Sequence, residues 1–534
     1  MKVLNEIKHI FTKSGIKTFL PISLIGIVIG LFIGTIVWAY TALFEYLSEI
    51  GFEIYGLVRE NLWYTPLLFL GLIALAFISY FAIKYLSLQG SGCGIPYAEA
   101  QMKGRVSASG KKGLKLLCAT FICSICSLFA GVPLDGEGAS AKMGGVISEL
   151  SSNVISKKVK HGHALKSFMV TSGASAALAS VSNAPLTGIM FALEEGHRKF
   201  SSTIFISTTS SVIAAVFMKR IWVYITHVGE SIQFLFDNKL NGMIPFSQIW
   251  MLLLVGLVIG LASALFNLLA DKVNDYFRDH KVNILGRLIS LFIIIGVVGL
   301  TLRDALFAGT GLIENILEGH VEWSHALIVF VVRFFLVILA IALKGTGGLF
   351  MPTLALGALL GYLLGYSFTF MGMDPIYIPT IVTISMTAFF ASVVRAPLTG
   401  ILLIVELTGE VLTGFFETGL VILIVIVIAE IFNTIPIYDS LIDDNLEIER
   451  EGKELKEEFV TKVVEEGAFI EGRQIRDILW PHGTTILKIE KGHKDSQFFN
   501  GENEIHHGDK YYLNIKSYEL DVALKQIDEL FDKL

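Results

Sequence analysis

Residues Gly131–Gly145 read GVPLDGEGASAKMGG, and this stretch decides the fold. The apolar run Ile122–Ala130 leads into it and ends at a glycine-rich break that carries Glu137. Gly136 and Gly138 flank this glutamate, and glycine allows the backbone to approach a neighbour closely. A helix that begins near Glu137 would direct its unpaired N–H groups and the positive end of its dipole at the break. The stretch therefore predicts an anion site at a helix N-terminus.

The composition places this break in a polytopic membrane protein. The chain is 53% hydrophobic and 17% charged, whereas soluble domains carry about 25% charged residues. The mean hydropathy is +0.65. A carboxylate at membrane depth is costly unless it is paired or hydrated, so Glu137 is a functional residue by default. The alternative is an extramembrane loop in which Glu137 is only solvated.

Charge density divides the chain into regions. Charged residues are sparse through about residue 440 and dense after Asp443. We predict a transmembrane core at 1–440, a linker at 441–458 and a cytoplasmic domain at 459–534. The lysine-bearing segment Met1–Lys17 is predicted to form an interfacial helix that places the N-terminus in the cytoplasm.

The four cysteines lie between Cys93 and Cys126 and do not form a secreted disulfide framework. Cys123 and Cys126 make a C-x-x-C pair inside an apolar helical run, with no second ligand pair. We interpret this pair as helix packing, and we expect no metal or cofactor.

Two further glycine-rich breaks resemble the one at Glu137. They are Gly90–Pro96, GSGCGIP, and Lys344–Pro352, KGTGGLFMP. Such breaks at membrane depth are tolerated only where the backbone lines a cavity or is buried in protein. Three of them predict a central polar site built from the ends of half-helices, which is the architecture of a transporter.

An internal repeat relates these breaks. The sequence NAPLTGI at Asn183–Ile189 recurs as RAPLTGI at Arg395–Ile401, and an apolar run follows each copy to a carboxylate, Glu194 or Glu406. The core is therefore predicted to be two halves of one ancestral unit. The sequence alone leaves open whether the halves are inverted. We expect Glu194 to pack or to hydrogen-bond.

Six ordered motifs over residues 19–440 resemble the CLC family of chloride channels and proton-coupled chloride exchangers. They are Gly92–Pro96, Gly136–Gly138 with Gly144–Gly145, Gly348–Pro352, the NAPLTGI and RAPLTGI segments, and Pro436–Tyr438. The resemblance implies an all-α polytopic fold with an inverted repeat. It also implies a homodimer with one anion pathway per subunit, both termini in the cytoplasm, and a place in the plasma (inner) membrane.

The resemblance also implies roles for particular residues. Glu137 matches the gating glutamate, whose carboxylate competes with the anion and moves away when it is protonated. Glu195 matches the inner proton-transfer glutamate that many exchangers carry. Tyr438 matches the tyrosine whose hydroxyl caps the central anion, and Leu349 and Phe350 match positions that offer backbone N–H groups to it. Such amides and hydroxyls bind an anion without a fixed cation, so the anion can still leave.

Three positions depart from the family pattern. Cys93 stands where the family usually has serine, and a thiol is a weaker hydrogen-bond donor. A competing register puts Ser91 there. Gly136 replaces the usual arginine beside Asp135, which makes the vestibule less attractive to anions, and Ala139 replaces a proline. The predicted anion-binding set is Cys93, Gly136, Glu137, Gly138, Leu349, Phe350 and Tyr438.

The predicted function is proton-coupled chloride antiport, with chloride, protons and membrane lipid as partners and without enzymatic activity. The alternatives are a passive or voltage-gated chloride channel and an exchanger of fluoride or nitrate. A cation channel lacks a TVGYG filter here, and an intramembrane enzyme lacks the H-E-x-x-H and G-x-S-x-G patterns. No nucleic acid is expected as a partner.

The tail at 459–534 resembles the TrkA-C module of potassium-conductance regulators. Strand-like alternation marks Phe459–Val464, Thr484–Glu490 and Tyr511–Ile515, and helical spacing marks Tyr518–Phe531. The resemblance implies a small α+β regulatory domain of a type that commonly dimerises and sometimes binds a ligand, here an unknown cytosolic one.

Overall fold

Long apolar helices dominate the first four-fifths of the chain. The computed structural model describes residues 13–155, 162–228, 244–280, 282–409, 414–450, 452–491, 494–496 and 499–533. Within these ranges, nine helices are long and apolar enough to cross a membrane. The polytopic helical fold is confirmed. Most of the predicted interfacial helix Met1–Lys17 lies outside the described residues.

The first half of the core contains eight described helices. They are α1 (Lys13–Glu60), α2 (Thr65–Tyr85), α3 (Gly94–Met102), α4 (Gly110–Phe129), α5 (Glu137–Ile155), α6 (Gly162–Ser182), α7 (Pro185–Met190) and α8 (Ser202–Thr226). A π-helical turn, Phe191–Gly196, continues α7. Cys123 is buried on α4 and its thiol donates to the Ser79 carbonyl at 3.6 Å, in keeping with a packing role.

The second half adds nine helices within the described ranges. They are α9 (Ile249–Asp279), α10 (Ile284–Thr301), α11 (Thr310–Leu317), α12 (Trp323–Ala342), α13 (Phe350–Thr369), α14 (Ile378–Val394), α15 (Pro397–Thr408), α16 (Phe415–Ile431) and α17 (Ile437–Arg450).

The two halves share a backbone path at the repeated motif. Helices α6 and α14 are each followed by a non-glycine residue with left-handed dihedrals, Asn183 at φ 53° and Arg395 at φ 64°. The next residue has φ −119° in both copies, Ala184 and Ala396, and a proline then begins α7 or α15. The sequence repeat is thus a structural repeat.

The halves exchange helix caps, and this exchange shows that they are inverted. Glu194 accepts the backbone N–H groups of Leu398 at 2.9 Å and Thr399 at 2.7 Å, at the start of α15. Glu406 accepts the backbone N–H of Thr187 at 2.9 Å, at the start of α7. Each threonine hydroxyl adds a bond to the same carboxylate, at 2.7 Å and 2.6 Å. Since the end of each segment lies at the beginning of the other, the two run antiparallel. The prediction that Glu194 hydrogen-bonds is confirmed.

The tail folds into an antiparallel sheet with one helix. The sheet has the order β1-β4-β2-β3, and α18 packs on it. The bounds are β1 (Lys456–Val463), β2 (Thr484–Lys491), β3 (Lys494–Ser496), β4 (Lys510–Ser517) and α18 (Leu520–Phe531). Ile489, Tyr511, Ile515 and Ile527 are buried at its centre. The small α+β domain expected from the sequence is present.

The predicted linker at 441–458 holds the remainder of α17 and the first residues of β1. Leu441, Ile442 and Leu446 are buried, so this part of α17 packs with the membrane core. The tail also rests on the core. Phe469 lies with its ring centre 6.3 Å from that of Phe168 on α6.

Candidate functional site

The three glycine-rich breaks meet at one place in the core. Cys93 forms a parallel bridge with Gly347, and Asp135 forms an antiparallel bridge with Gly348. In the second bridge the Gly348 N–H donates to the Asp135 carbonyl at 2.8 Å, and the Asp135 N–H donates back at 3.2 Å. Segments far apart in the sequence therefore form one backbone cluster.

Only glycine fits at the contacts inside this cluster. A Cβ atom on Gly94 would lie 1.9 Å from the Gly138 carbonyl oxygen, and one on Gly138 would lie 2.6 Å from the Gly347 carbonyl oxygen. The chains touch backbone to backbone, which any side chain would prevent. This is the physical reason for the glycine spacing that the sequence shows.

Four helices begin at or beside this cluster. Helix α3 starts directly after Cys93, α5 starts at Glu137, α13 starts at Phe350, and α17 carries Tyr438 in its first turn. Their N-terminal N–H groups and dipoles give the cluster a positive potential without requiring a formal charge. The predicted polar site of half-helix ends is therefore present.

Asp135 occupies two of these helix ends, which the sequence analysis did not foresee. Its side chain is 2% exposed, and its two oxygens accept the Glu137 N–H and the Met351 N–H, each at 2.8 Å. The amides of Gly138 and Phe350 also face this carboxylate. The Phe350 amide, which the resemblance assigns to the transported anion, thus faces Asp135 in this structure. An aspartate two residues before a helix start is a capping signal that the sequence does carry.

Glu137 is buried beside this cluster. Its side chain is 3% exposed, and its Oε2 atom has no hydrogen-bond partner within the described ranges. It lines a cavity of about 130 Å³, the Glu137 cavity, together with Asp135 and Glu406. A buried carboxylate oxygen without a donor is poised to accept a proton or to move.

Lys219 supplies the cation of the Glu137 cavity. It projects from α8, is buried, and donates to the Ser180 carbonyl at 2.7 Å. Its ammonium group interacts electrostatically with Glu137. Since Gly136 replaces the arginine that is usual in the family, the vestibule was predicted to be less attractive to anions. Lys219 supplies a positive charge in place of the missing arginine. It lies far away in the sequence, so no local sequence pattern predicts that it is near Glu137.

Tyr438 interacts electrostatically with both predicted proton carriers. Its hydroxyl is buried and has no hydrogen-bond partner within the described part of the chain. The ionisable groups that act on it electrostatically include Cys93, Glu137 and Glu195. Cys93 stands immediately before α3, whereas Ser91 lies at the end of the 3-10 turn Leu88–Gly90. The structure thus brings Cys93, Glu137 and Tyr438 together.

Lys142 is a buried cation beside the first break, which the picture of amides and hydroxyls alone does not include. It is on α5, is 1% exposed, and donates to the Gln89 carbonyl beside the first break. Its Nζ atom lies 5.1 Å from the centre of the Tyr97 ring and interacts electrostatically with Cys93. A buried ammonium group here adds a formal positive charge to the potential of the helix ends.

Glu195 is buried in the π-helical turn that continues α7. Such turns occur often at functional sites. Glu99 on α3 acts on it electrostatically and is itself buried, with its carboxylate 3.1 Å from the Lys103 ammonium group. Glu99 and Lys103 are a second acid–base pair that the sequence analysis missed.

Two inverted halves, whose half-helices converge on a buried polar site, define a membrane transport protein. Residues 70–434 match the family described as voltage gated chloride channel. The chain belongs to this family, the CLC family.

Relatives and solved structures agree with that assignment. The H(+)/Cl(-) exchange transporter ClcA of Vibrio campbellii (strain ATCC BAA-1116) is 30% identical over 406 residues, which are 75% of this chain and 82% of that protein. The ClcA of Yersinia pseudotuberculosis serotype IB (strain PB1/+) is 28% identical over 402 residues, 74% of this chain and 81% of that protein. A slow cyanobacterial Cl-/H+ antiporter has a similar fold, with a TM-score of 0.70, 24% identity, and coverage of 80% of this chain and 98% of that one. A CLC-type fluoride/proton antiporter has a TM-score of 0.62 at 17% identity, with coverage of 80% and 98%.

Proposed function

We propose that this protein exchanges chloride for protons across a membrane, with Glu137 and Glu195 as its two proton-carrying carboxylates. One observation carries the proposal. Both carboxylates are buried, and both act on the Tyr438 hydroxyl, which is buried without a partner in the described ranges. A chloride ion accepting that hydroxyl would lie between two proton carriers. The relatives named as exchangers support the same chemistry.

The chloride step follows from charge. An ionised Glu137 places a negative charge at the start of α5, where it competes with chloride for the same helix end. Protonation removes that charge, so chloride can approach Tyr438 while the neutral side chain withdraws into the Glu137 cavity. The positive charge of Lys142 favours occupancy of the site by the anion.

The proton step uses the other side of Tyr438. Glu195 receives a proton through the polar cluster of Glu99 and Lys103 and passes it toward Glu137 while chloride occupies the site. In this scheme the carboxylates carry protons, and the amides and hydroxyl bind chloride. Exchange of chloride for protons therefore requires the proton-carrying carboxylates as well as the chloride-binding groups.

The remaining features extend the same proposal. The protein would work as a homodimer in the plasma (inner) membrane with both termini in the cytoplasm, and its tail would be a regulatory module of the TrkA-C type. The docked tail and its buried core are compatible with a domain that senses the cytosol.

Proton pumping in proteoliposomes tests the exchange. A chloride gradient should drive protons uphill in liposomes that contain the unmodified protein. Glu137→Gln mimics the protonated side chain and should abolish proton movement while chloride flux continues. Glu53→Gln, an exposed site on α1, is the matched control. Chloride flux without proton movement in the unmodified, folded protein would instead identify a channel.

A further inference from the structure

A large polar cavity separates the tail from the membrane core. It encloses about 380 Å³ and we call it the interdomain cavity. The core contributes the segment Lys103–Ser107 after α3 and the residues that follow Glu195, and the tail contributes Ile478–Thr484 and one face of α18. This volume is in the range of sites for small organic ligands, roughly 300–1,000 Å³, and far exceeds what a halide ion needs.

The lining of the interdomain cavity carries more positive than negative charge. Its cations are Lys103, Arg105, Lys166 and Lys199. Its two carboxylates already have partners, since Glu149 lies 2.8 Å from Lys166 and Glu519 lies 2.8 Å from Lys453. Arg105 and Lys199 form no ion pair within 4.0 Å among the described residues, although Asp477 acts on Lys199 electrostatically from a longer distance. Two cations are therefore available to an incoming anion.

His482 reports the same positive potential from the tail side. It lines the interdomain cavity next to Gly104, and burial together with the charges of Arg105 and Arg450 lowers the pKa of its imidazole. Burial is the larger cause and acts against any charge, but the part that comes from the two arginines shows that positive charge reaches His482. The cavity geometry and the neighbouring charges thus agree.

We propose that the interdomain cavity binds an anion that carries a phosphate group. Arg105 presents the planar fork that suits a phosphate, and Lys199, from the segment that follows Glu195, adds a second positive charge to the lining. The remaining volume would hold the organic part of the ligand against Trp480 and Pro481.

The cavity also touches both elements of the transport path. Lys103 directly follows α3, which starts just after Cys93, and Lys199 follows the π-helical turn of Glu195. Lys199 already joins the tail, because its ammonium group donates to the Ile478 carbonyl at 3.2 Å. An anion bound between these residues and the tail would hold the two transport elements in one position and change the exchange rate. Only this rate effect rests on the proposed function.

Calorimetric titration of the full-length protein with inorganic pyrophosphate tests the site. The protein is held in nanodiscs of neutral phosphatidylcholine at constant ionic strength. We expect saturable binding that Arg105→Glu and Lys199→Glu each weaken by about tenfold or more, since each removes a charge-assisted contact and adds repulsion. Lys525→Glu reverses an exposed charge on α18 that does not line the cavity, and it should leave the affinity within about twofold.

Two further measurements identify the source of the phosphate and test whether the variants are still folded. In nanodiscs with anionic phosphatidylglycerol, weaker apparent pyrophosphate binding assigns the site to a lipid headgroup, and unchanged binding assigns it to a soluble metabolite. Arg105 is exposed, so Arg105→Glu should melt normally, and Arg105→Lys should restore part of the affinity. An absence of saturable binding, or equal weakening by Lys525→Glu, would overturn the proposal. Because binding is measured without transport, either result would leave chloride–proton exchange untouched.

Discussion

At the scale of single residues, Asp135 determines which groups the helix N-termini at the centre of the core contact. Its carboxylate already accepts the amides at the starts of α5 and α13, so the protein carries an anion of its own at these helix ends. At the proposed site, chloride would bind beside this negative charge. Lys142 and Lys219 are buried positive charges in the same part of the core, and they act electrostatically on Cys93 and on Glu137, respectively.

Asp135→Asn should strengthen chloride binding and weaken the fold. The variant removes the fixed negative charge, and its NH₂ group replaces one of the two oxygens that accept backbone N–H groups. We expect a severalfold lower chloride Kd by titration calorimetry, together with a loss of about 1–3 kcal/mol in the free energy of unfolding.

Asp304→Asn provides the control for that experiment. Asp304 is an exposed carboxylate that pairs with His325 at 2.9 Å. It should alter neither the chloride Kd nor the stability appreciably. An unchanged or weaker affinity in Asp135→Asn would show that its charge does not act on the transported ion.

At the scale of elements, the exchanged helix caps explain why the two copies of the repeated motif have nearly the same sequence. In both copies the Pro-Leu-Thr segment begins a helix whose first amides point at a carboxylate from the other half. The proline needs no hydrogen-bond acceptor, and the threonine hydroxyl adds a bond to the same carboxylate. The similarity of the two copies therefore follows from one shared contact.

Glu194→Gln and Glu406→Gln should destabilise the protein to a similar extent. Each leaves one backbone N–H group facing an amide NH₂ instead of an oxygen, at a cost of about 1–2 kcal/mol. Thermal melts in detergent measure the loss, with Glu60→Gln at the end of α1 as the comparison. A large effect in one variant and none in the other would contradict the two-fold relation.

The sequence predicts local features of these elements and misses those made by distant partners. The glycine breaks, the repeat and the strands of the tail all leave short patterns. The Asp135 contact with Met351 spans 216 residues, and Lys142 and Lys219 enter the site from helix faces that look like ordinary buried surface. The charged residues of 441–458 favour a linker or a solvated helix, and they conceal the burial of Leu441, Ile442 and Leu446 on α17.

At the scale of the whole molecule, the tail and the core form one packed unit. The contacts include the Lys199 ammonium group with the Ile478 carbonyl at 3.2 Å, and the Phe168 ring with the Phe469 ring, whose centres are 6.3 Å apart. Removal of the tail without damage to the core therefore requires a cut after Arg450, because α17 ends there.

Acid should loosen this packing through His482. Its pKa in the folded protein is lowered by burial and by Arg105 and Arg450, so the unfolded chain binds more protons near its ordinary pKa of about 6.5. The stabilisation is present above that pH and is lost as the pH falls below it. We expect a smaller decrease in Tm between pH 7.5 and pH 5.5, both roughly one unit from that pKa, in His482→Gln than in the unmodified protein.

Melting curves at the two pH values measure this difference. Because the two proteins differ only at position 482, the effect of every other titrating group on Tm cancels in the comparison. His280→Gln, at the end of α9, serves as the control because His280 does not line the interdomain cavity. An equal decrease in Tm in the unmodified protein and in His482→Gln would show that His482 does not contribute to the pH dependence of tail docking.

The exchanged caps also imply a delay during synthesis on the ribosome, because each half depends on the other for its helix cap. The N–H of Leu186 receives its acceptor from Glu406, which is 220 residues further along the chain. At about 5–20 residues per second, translation needs roughly 10–40 s to cover that distance. Throughout this interval the first half waits beside the translocon with an uncapped helix end and with Glu194 lacking its donors. A nascent chain that stalls between the halves would therefore present membrane-quality-control proteases with a defect that only the second half can repair.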